Sequence, residues 1–147
     1  MSSMTDLDKA ERISRMRARM FPFLGIYFLV GQSIYFTQGQ ELSQASVAKL
    51  SAWLVWAIIM LVALAAAGGL FAGGRVRELV EDELTRVNRL RAYATGFWCG
   101  CGAALILYVL AMFEPVSGRE AIHILLTAAV AGALIRFGLL ERRALKG

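Results

Sequence analysis

Three long stretches of the chain, residues 20–40, 50–74 and 92–113, contain no Asp, Glu, Lys or Arg. Each is at least about 20 residues, the length a helix needs to cross a hydrocarbon core. A fourth stretch, Ala121 to Leu140, carries a single charge, Arg136, close to its end. A soluble bundle of buried helices would show shorter elements with a polar face every 3.6 residues. The run from Ala52 to Gly74, AWLVWAIIMLVALAAAGGLFAGG, shows no polar face. An apolar fraction of 58% with only 18% charged residues points the same way, because soluble domains of this size carry about 25% charge. The expected fold class is therefore all-α: an integral membrane protein, an antiparallel bundle of four transmembrane helices at about 21–38, 50–74, 92–113 and 121–140. Residues 1–147 form one membrane domain in this reading. The basic start before Phe21 and the Ser46-Val47-Ala48 triplet resemble parts of a signal peptide, but the spacer from Phe36 to Ala48 is too long for one, so the first helix is expected to stay.

Orientation follows from the basic residues. Lys9, Arg12, Arg15, Arg17 and Arg19 precede helix one; Arg75, Arg77, Arg86, Arg89 and Arg91 lie between helices two and three; Arg136, Arg142, Arg143 and Lys146 close the chain. The two remaining loops hold Lys49 and Arg119 alone. The asymmetry predicts a multi-pass protein of the cytoplasmic membrane with both termini in the cytoplasm. It also accounts for the net charge of +5 without direct nucleic-acid binding, leaving attraction to anionic lipid as the bilayer contact. Pro22 suits the first turn of helix one, and Arg136 lies near enough to the inner end of helix four to reach the headgroups. Residues 1–20 combine Leu7, Ala10, Ile13, Met16 and Met20 with interleaved arginines, the pattern of an amphipathic helix on the inner membrane surface.

Residue types that carry chemistry are few. Cys99 and Cys101 stand two apart, so on a helix their thiols point about 200° away from each other and share neither a metal ion nor a disulfide easily. Beside Gly100 and Gly102 they read as packing residues. His123 is the only histidine, which excludes bis-histidine haem; an interfacial histidine paired with a carboxylate or water is expected. No motif for phosphate binding, nucleophilic catalysis or a catalytic metal appears, so no enzyme activity, cofactor or metal is expected. Gln32, Ser33 and Thr127 are the polar residues within the spans, fit for interhelical hydrogen bonds or, in a transporter or channel acting as an oligomer, for lining a path. The small multidrug resistance transporters also have four short helices, yet they depend on a glutamate in helix one that this chain lacks. Quinone-linked disulfide-forming enzymes need cysteine pairs in the outer loops, and these loops contain none. Small residues at spacing four, Gly96, Gly100 and Ala104 above all, predict close packing with a neighbouring helix or a second copy.

The segment 75–91 is read as a helical cytoplasmic loop. Val76, Val80, Leu84, Val87 and Arg91 step by four and three, an apolar stripe beside the densest charge in the chain. It either protrudes as a hairpin or lies flat. Glu81, Asp82, Glu83, Arg86, Arg89 and Arg91 are the candidate contacts for a cytoplasmic protein partner, because topology alone does not require the acidic members.

The run Asp82-Glu83-Leu84-Thr85-Arg86, then Arg91-Ala92 and Gly96-Phe97-Trp98, resembles an uncharacterised family of small bacterial and archaeal multi-pass membrane proteins. These carry an Asp-Glu-x-Thr-Arg run before a transmembrane helix, usually with Arg where this chain has Leu84. Their genes often neighbour helix-turn-helix regulators. The resemblance implies a membrane protein, with a transcription regulator as the class of partner, and assigns no activity and no catalytic residue.

Overall fold

A computed structural model describes residues 2–37, 44–66 and 83–145, with side chains for residue 8 and for 11–31, 52–66 and 83–145. Among the described residues the chain is all-α. Helix α1 runs Ser2–Thr37, α2 Gln44–Ala66, α3 Glu83–Leu110 and α4 Gly118–Ala144. By length and composition α3 and α4 could each cross a membrane, and Ala52–Ala66 of α2 is a shorter apolar helix.

Helix α4 is the hub. Its buried residues His123, Thr127, Val130, Leu134, Phe137 and Glu141 recur at steps of four and three, one continuous seam. Both α1 and α3 pack along it, and α2 touches it over a smaller area. Along α1 the buried residues Arg17, Phe21 and Phe28, with Leu24 half-buried between them, follow the same steps. The edge-to-face pair of Phe21 and Phe137, with ring centroids 5.0 Å apart, lies at the middle of that contact. Numbering rises along α1 as it falls along α4, since Arg17 meets Glu141, Phe21 meets Phe137, and Gly25 lies against Ala131 and Ile135. The same holds for α3, where Asn88 meets Glu141 and Gly96 lies against Ala133.

Glycines set how closely these helices approach. A Cβ built on Gly96 would stand 2.7 Å from the carbonyl oxygen of Ala129, and one on Gly132 would stand 2.7 Å from the Cys99 sulfur. Without them α3 and α4 would have to separate. Gly138 gives room to the ring of Pro22 in the same way.

That last contact corrects one expectation. Pro22 does not sit in the first turn of a helix; it lies inside α1, which continues unbroken from the leader into the first apolar stretch. An internal proline removes a hydrogen bond and crowds the preceding turn, at a cost of about 3 kcal/mol. The seam explains why the helix persists, for Arg17, Ala18 and Phe21 on one side of Pro22 and Phe28 on the other are buried along the same helix. A leader lying flat would need a break near Met20, and α1 has none there.

A second correction concerns residues 83–91. They are the first turns of α3, and their buried members are Thr85, Asn88 and, one turn on, Ala92. Leu84 and Arg91 of the expected apolar stripe are exposed and Val87 is half-buried, so the inward face is shifted by one residue. Val76 and Val80 lie outside the described residues. Helix α3 is thus reversed relative to a soluble helix, with Thr85, Asn88 and Gly96 inside and Leu90, Phe97, Trp98, Leu105 and Tyr108 outside.

Candidate functional site

The reversal of α3 has a chemical cause at one end of the molecule. Following the α4 seam past Phe137 brings a carboxylate, Glu141, to an inward position with 5% exposure. Following the α1 seam back past Phe21 brings Arg17 to the same level with 4% exposure. The guanidinium Nη2 of Arg17 stands 3.2 Å from Glu141 Oε2 and also donates to Ser14 Oγ at 3.0 Å. From α3, Asn88 Nδ2 donates to the other carboxylate oxygen, Glu141 Oε1, at 3.1 Å. One carboxylate therefore joins three helices, with each oxygen taken by a different one. A carboxylate removed from water needs this many partners, because an isolated buried charge costs several kcal/mol. An amide is well chosen for the third position, since its NH2 donates to the acceptor-only carboxylate.

The charged residues expected to meet a partner divide in two. Glu83, Arg86 and Arg91 are exposed on the first turns of α3. Arg89 is half-buried, and its Nη1 donates to the carbonyl of Ala65 at 2.8 Å, near the end of α2. Arg89 is accordingly a structural contact between α2 and α3. Glu81 and Asp82 fall outside the described residues.

At the opposite end of α4, Ser117 is the N-cap in extended conformation, φ −69° and ψ 146°. Its Oγ accepts from Glu120 N at 3.2 Å, while its own N–H donates to Glu120 Oε2 at 3.0 Å. This reciprocal capping box satisfies two donors that the first turn leaves open. One turn further on, His123 is 2% exposed and stacked on Trp53 of α2, with ring centroids 4.1 Å apart. Thr127 donates its hydroxyl to the His123 carbonyl at 2.7 Å, within its own helix. Of the polar residues expected within the spans, Thr127 is thus engaged locally, while the side chains of Gln32 and Ser33 fall outside the described residues.

Cys99 and Cys101 are both half-buried and free, and Cys99 lies against Gly132. No group of His, Cys, Asp or Glu able to hold a metal occurs among the described residues. Gly96 and Gly100 both face α4, where a Cβ built on Gly100 would stand 3.4 Å from Ala129 Cβ, whereas Ala104 is exposed.

The cluster of Arg17, Asn88 and Glu141 escaped the sequence reading because Arg17 and the tail were counted only as charges flanking spans. The signal was there: extending the three-and-four seam of helix four by one turn beyond Phe137 lands on Glu141. No family model matches the chain, and neither a curated protein nor a solved structure matches it.

Proposed function

We propose that the chain is a non-enzymatic protein of a bacterial inner membrane, an antiparallel bundle of four transmembrane helices whose cytoplasmic end presents the head of α3 to a soluble protein. The reversal of α3 supports the membrane part. A contiguous face of Leu, Phe, Trp and Tyr turned outward is unfavourable in water and favourable in lipid. The bias of arginines toward the Glu141 end supports the orientation.

The observation that carries the partner reading is the shared carboxylate. Thr85 and Asn88 are held inward by contact with the bundle, and this turns Glu83 and Arg86 of the same turn outward on a helix that cannot rotate without breaking the Glu141 bonds. A fixed array of one acid and one guanidinium favours a protein surface of complementary charge over a nonspecific ligand, because charge placement chiefly sets specificity. A transcription regulator is the partner class that fits the resemblance of the Asp82 to Arg86 run.

Photo-crosslinking from residue 84 or 87 in living cells, with identification of the product by mass spectrometry, tests this. A discrete soluble partner is expected, lost when Glu83→Arg and Arg86→Glu are combined. An unchanged set of cross-links in that variant overturns the reading.

A further inference from the structure

Along α1 the outward face, which also exposes Met16, loses its charges over one turn. Arg12 and Arg19 are exposed, and the next exposed residue on that face, Phe23, is 79% accessible and followed by Ile26 and Val30. On α3 the last exposed charge is Arg91, ahead of the Phe97–Trp98 pair, with Leu84 and Leu90 exposed on its charged side. On α4 the change falls between exposed Leu139 and exposed Arg142 and Arg143. These three steps coincide. The pairing of Arg17 with Glu141 and Phe21 with Phe137 brings Arg19 level with Leu139. The contacts of Asn88 with Glu141 and Gly96 with Ala133 bring Arg91 level with Gly138. Since a helix rises 1.5 Å per residue, Arg19, Arg91, Arg142 and Arg143 lie within about 8 Å of depth.

Among the described residues, the nearest exposed carboxylates on α1 and α3, Glu11 and Glu83, stand eight residues beyond Arg19 and Arg91, about 12 Å along their helices, and by the same pairing about 5–6 Å beyond the level of Arg143. Glu11 is moreover paired with Arg15. Among the described residues, the carboxylate within the depth of the arginines, Glu141, is buried and bound to Arg17 and Asn88. Among the described residues, Arg19 and Arg91 therefore meet an outward environment at the apolar boundary with no exposed acid within about 12 Å along their own helices, and Arg142 and Arg143 stand on the charged side of that boundary.

We propose that Arg19, Arg91, Arg142 and Arg143 form a collar that binds the phosphates of anionic phospholipids in the leaflet at the Glu141 end. The forked donors of a guanidinium match a phosphodiester, and the exposed aromatic and aliphatic residues one turn deeper accept the acyl chains. The collar rests on the membrane reading given above and adds a lipid class to it. It uses residues separate from Glu83 and Arg86.

The test uses the full-length protein reconstituted in phosphatidylcholine vesicles with a trace of spin-labelled phosphatidylglycerol or spin-labelled phosphatidylcholine. Electron paramagnetic resonance reads the motionally restricted fraction of each. Phosphatidylglycerol should be enriched at the protein surface by about fivefold, the gain expected for one arginine near a headgroup. The preference should shrink at about 1 M salt. Combining Arg19→Gln, Arg91→Gln, Arg142→Gln and Arg143→Gln should bring it near unity, and Arg19→Gln with Arg91→Gln alone should give an intermediate value. Equal restriction of the two lipids around an inserted wild type, or an undiminished preference in the fourfold variant, overturns the collar while leaving the membrane reading intact. Release of the wild type from the vesicles by alkaline extraction overturns both.

Discussion

The two ends of α4 handle polar groups in opposite ways. At the Ser117 end the bonds described are local: the capping box spans three residues, and Thr127 bonds a carbonyl one turn back. At the Glu141 end the bonds reach across the fold, from residue 17 to 141 and from 88 to 141. A local bond completes a helix that would form in any case, so it contributes about the ordinary increment of a cap. A bond between helices fixes which residues face one another and at what height. On the membrane reading proposed above this matters more than it would in water, because lipid supplies no hydrophobic drive for a particular helix pairing. The capping box at the Ser117 end closes the start of one helix, next to the stacking of His123 on Trp53 of α2, whereas the bonds at the Glu141 end join three helices.

The largest expected effect follows from that contrast. Glu141→Leu leaves Arg17 buried without its counter-charge and should destabilise the bundle by about 3–5 kcal/mol. Replacing both partners, Arg17→Met with Glu141→Leu, should restore most of this, because apolar groups of similar volume replace a buried pair at little net cost. Reversible unfolding in mild detergent followed by circular dichroism would read both. A double variant as unstable as the single one would mean that the pair acts through something other than its buried charge.

A smaller effect is expected where packing alone sets the approach of α3 to α4. In Gly96→Ala the added methyl meets the Ala129 carbonyl oxygen at 2.7 Å and Ala133 Cβ at 2.9 Å. Separating the helices to relieve this should cost about 1–3 kcal/mol. Gly102→Ala on the same helix meets nothing within 4 Å and should be neutral or stabilising by about 0.5–1 kcal/mol through better helix propensity. If the two variants melted alike, close approach at Gly96 would not be what seats α3 on the hub, and the Asn88 to Glu141 bond would carry the register alone.

How much of this was legible in the sequence depended on the range of the interaction. Missing charge over a span's length is a local property, and it correctly marked the long apolar helices α3 and α4. The opposed directions of Cys99 and Cys101 follow from helical geometry alone, and Cys99 is indeed turned to Gly132. Of the spacing-four small residues, Gly96 and Gly100 face α4, while Ala104 is exposed on the single chain. Gly25 and Gly138 carry no such spacing, and their importance appears only when Ile135 and Pro22 are placed opposite them. The stripe through Leu84 and Val87 was misread for a related reason. Hydrophobic spacing does not register a polar partner on another helix: Asn88 turns inward to donate to the Glu141 carboxylate, and Thr85 is buried on the same face.

The least expected effect belongs to the Ser117 end and bounds the comparison from below. Ser117→Ala removes the oxygen that accepts from Glu120 N and the hydroxyl that donates to Glu120 Oε2 at 2.8 Å. The backbone bond from Ser117 N to Glu120 Oε2 remains possible, and both residues lie where solvent reaches them. Water can therefore replace much of what is lost, and the cost should be about 1 kcal/mol, within the usual range for a cap. Fraying should be confined to the first turn of α4, so hydrogen exchange should quicken at residues 118–121 and stay unchanged near Glu141. Ser117→Asp, which can still accept from Glu120 N, should restore only part of the loss because its charge lies beside that of Glu120. If Ser117→Ala instead cost as much as Glu141→Leu, or quickened exchange at both ends of α4, the capping box would be coupled to the register of the whole bundle. The division between a local end and a register-setting end would then fail.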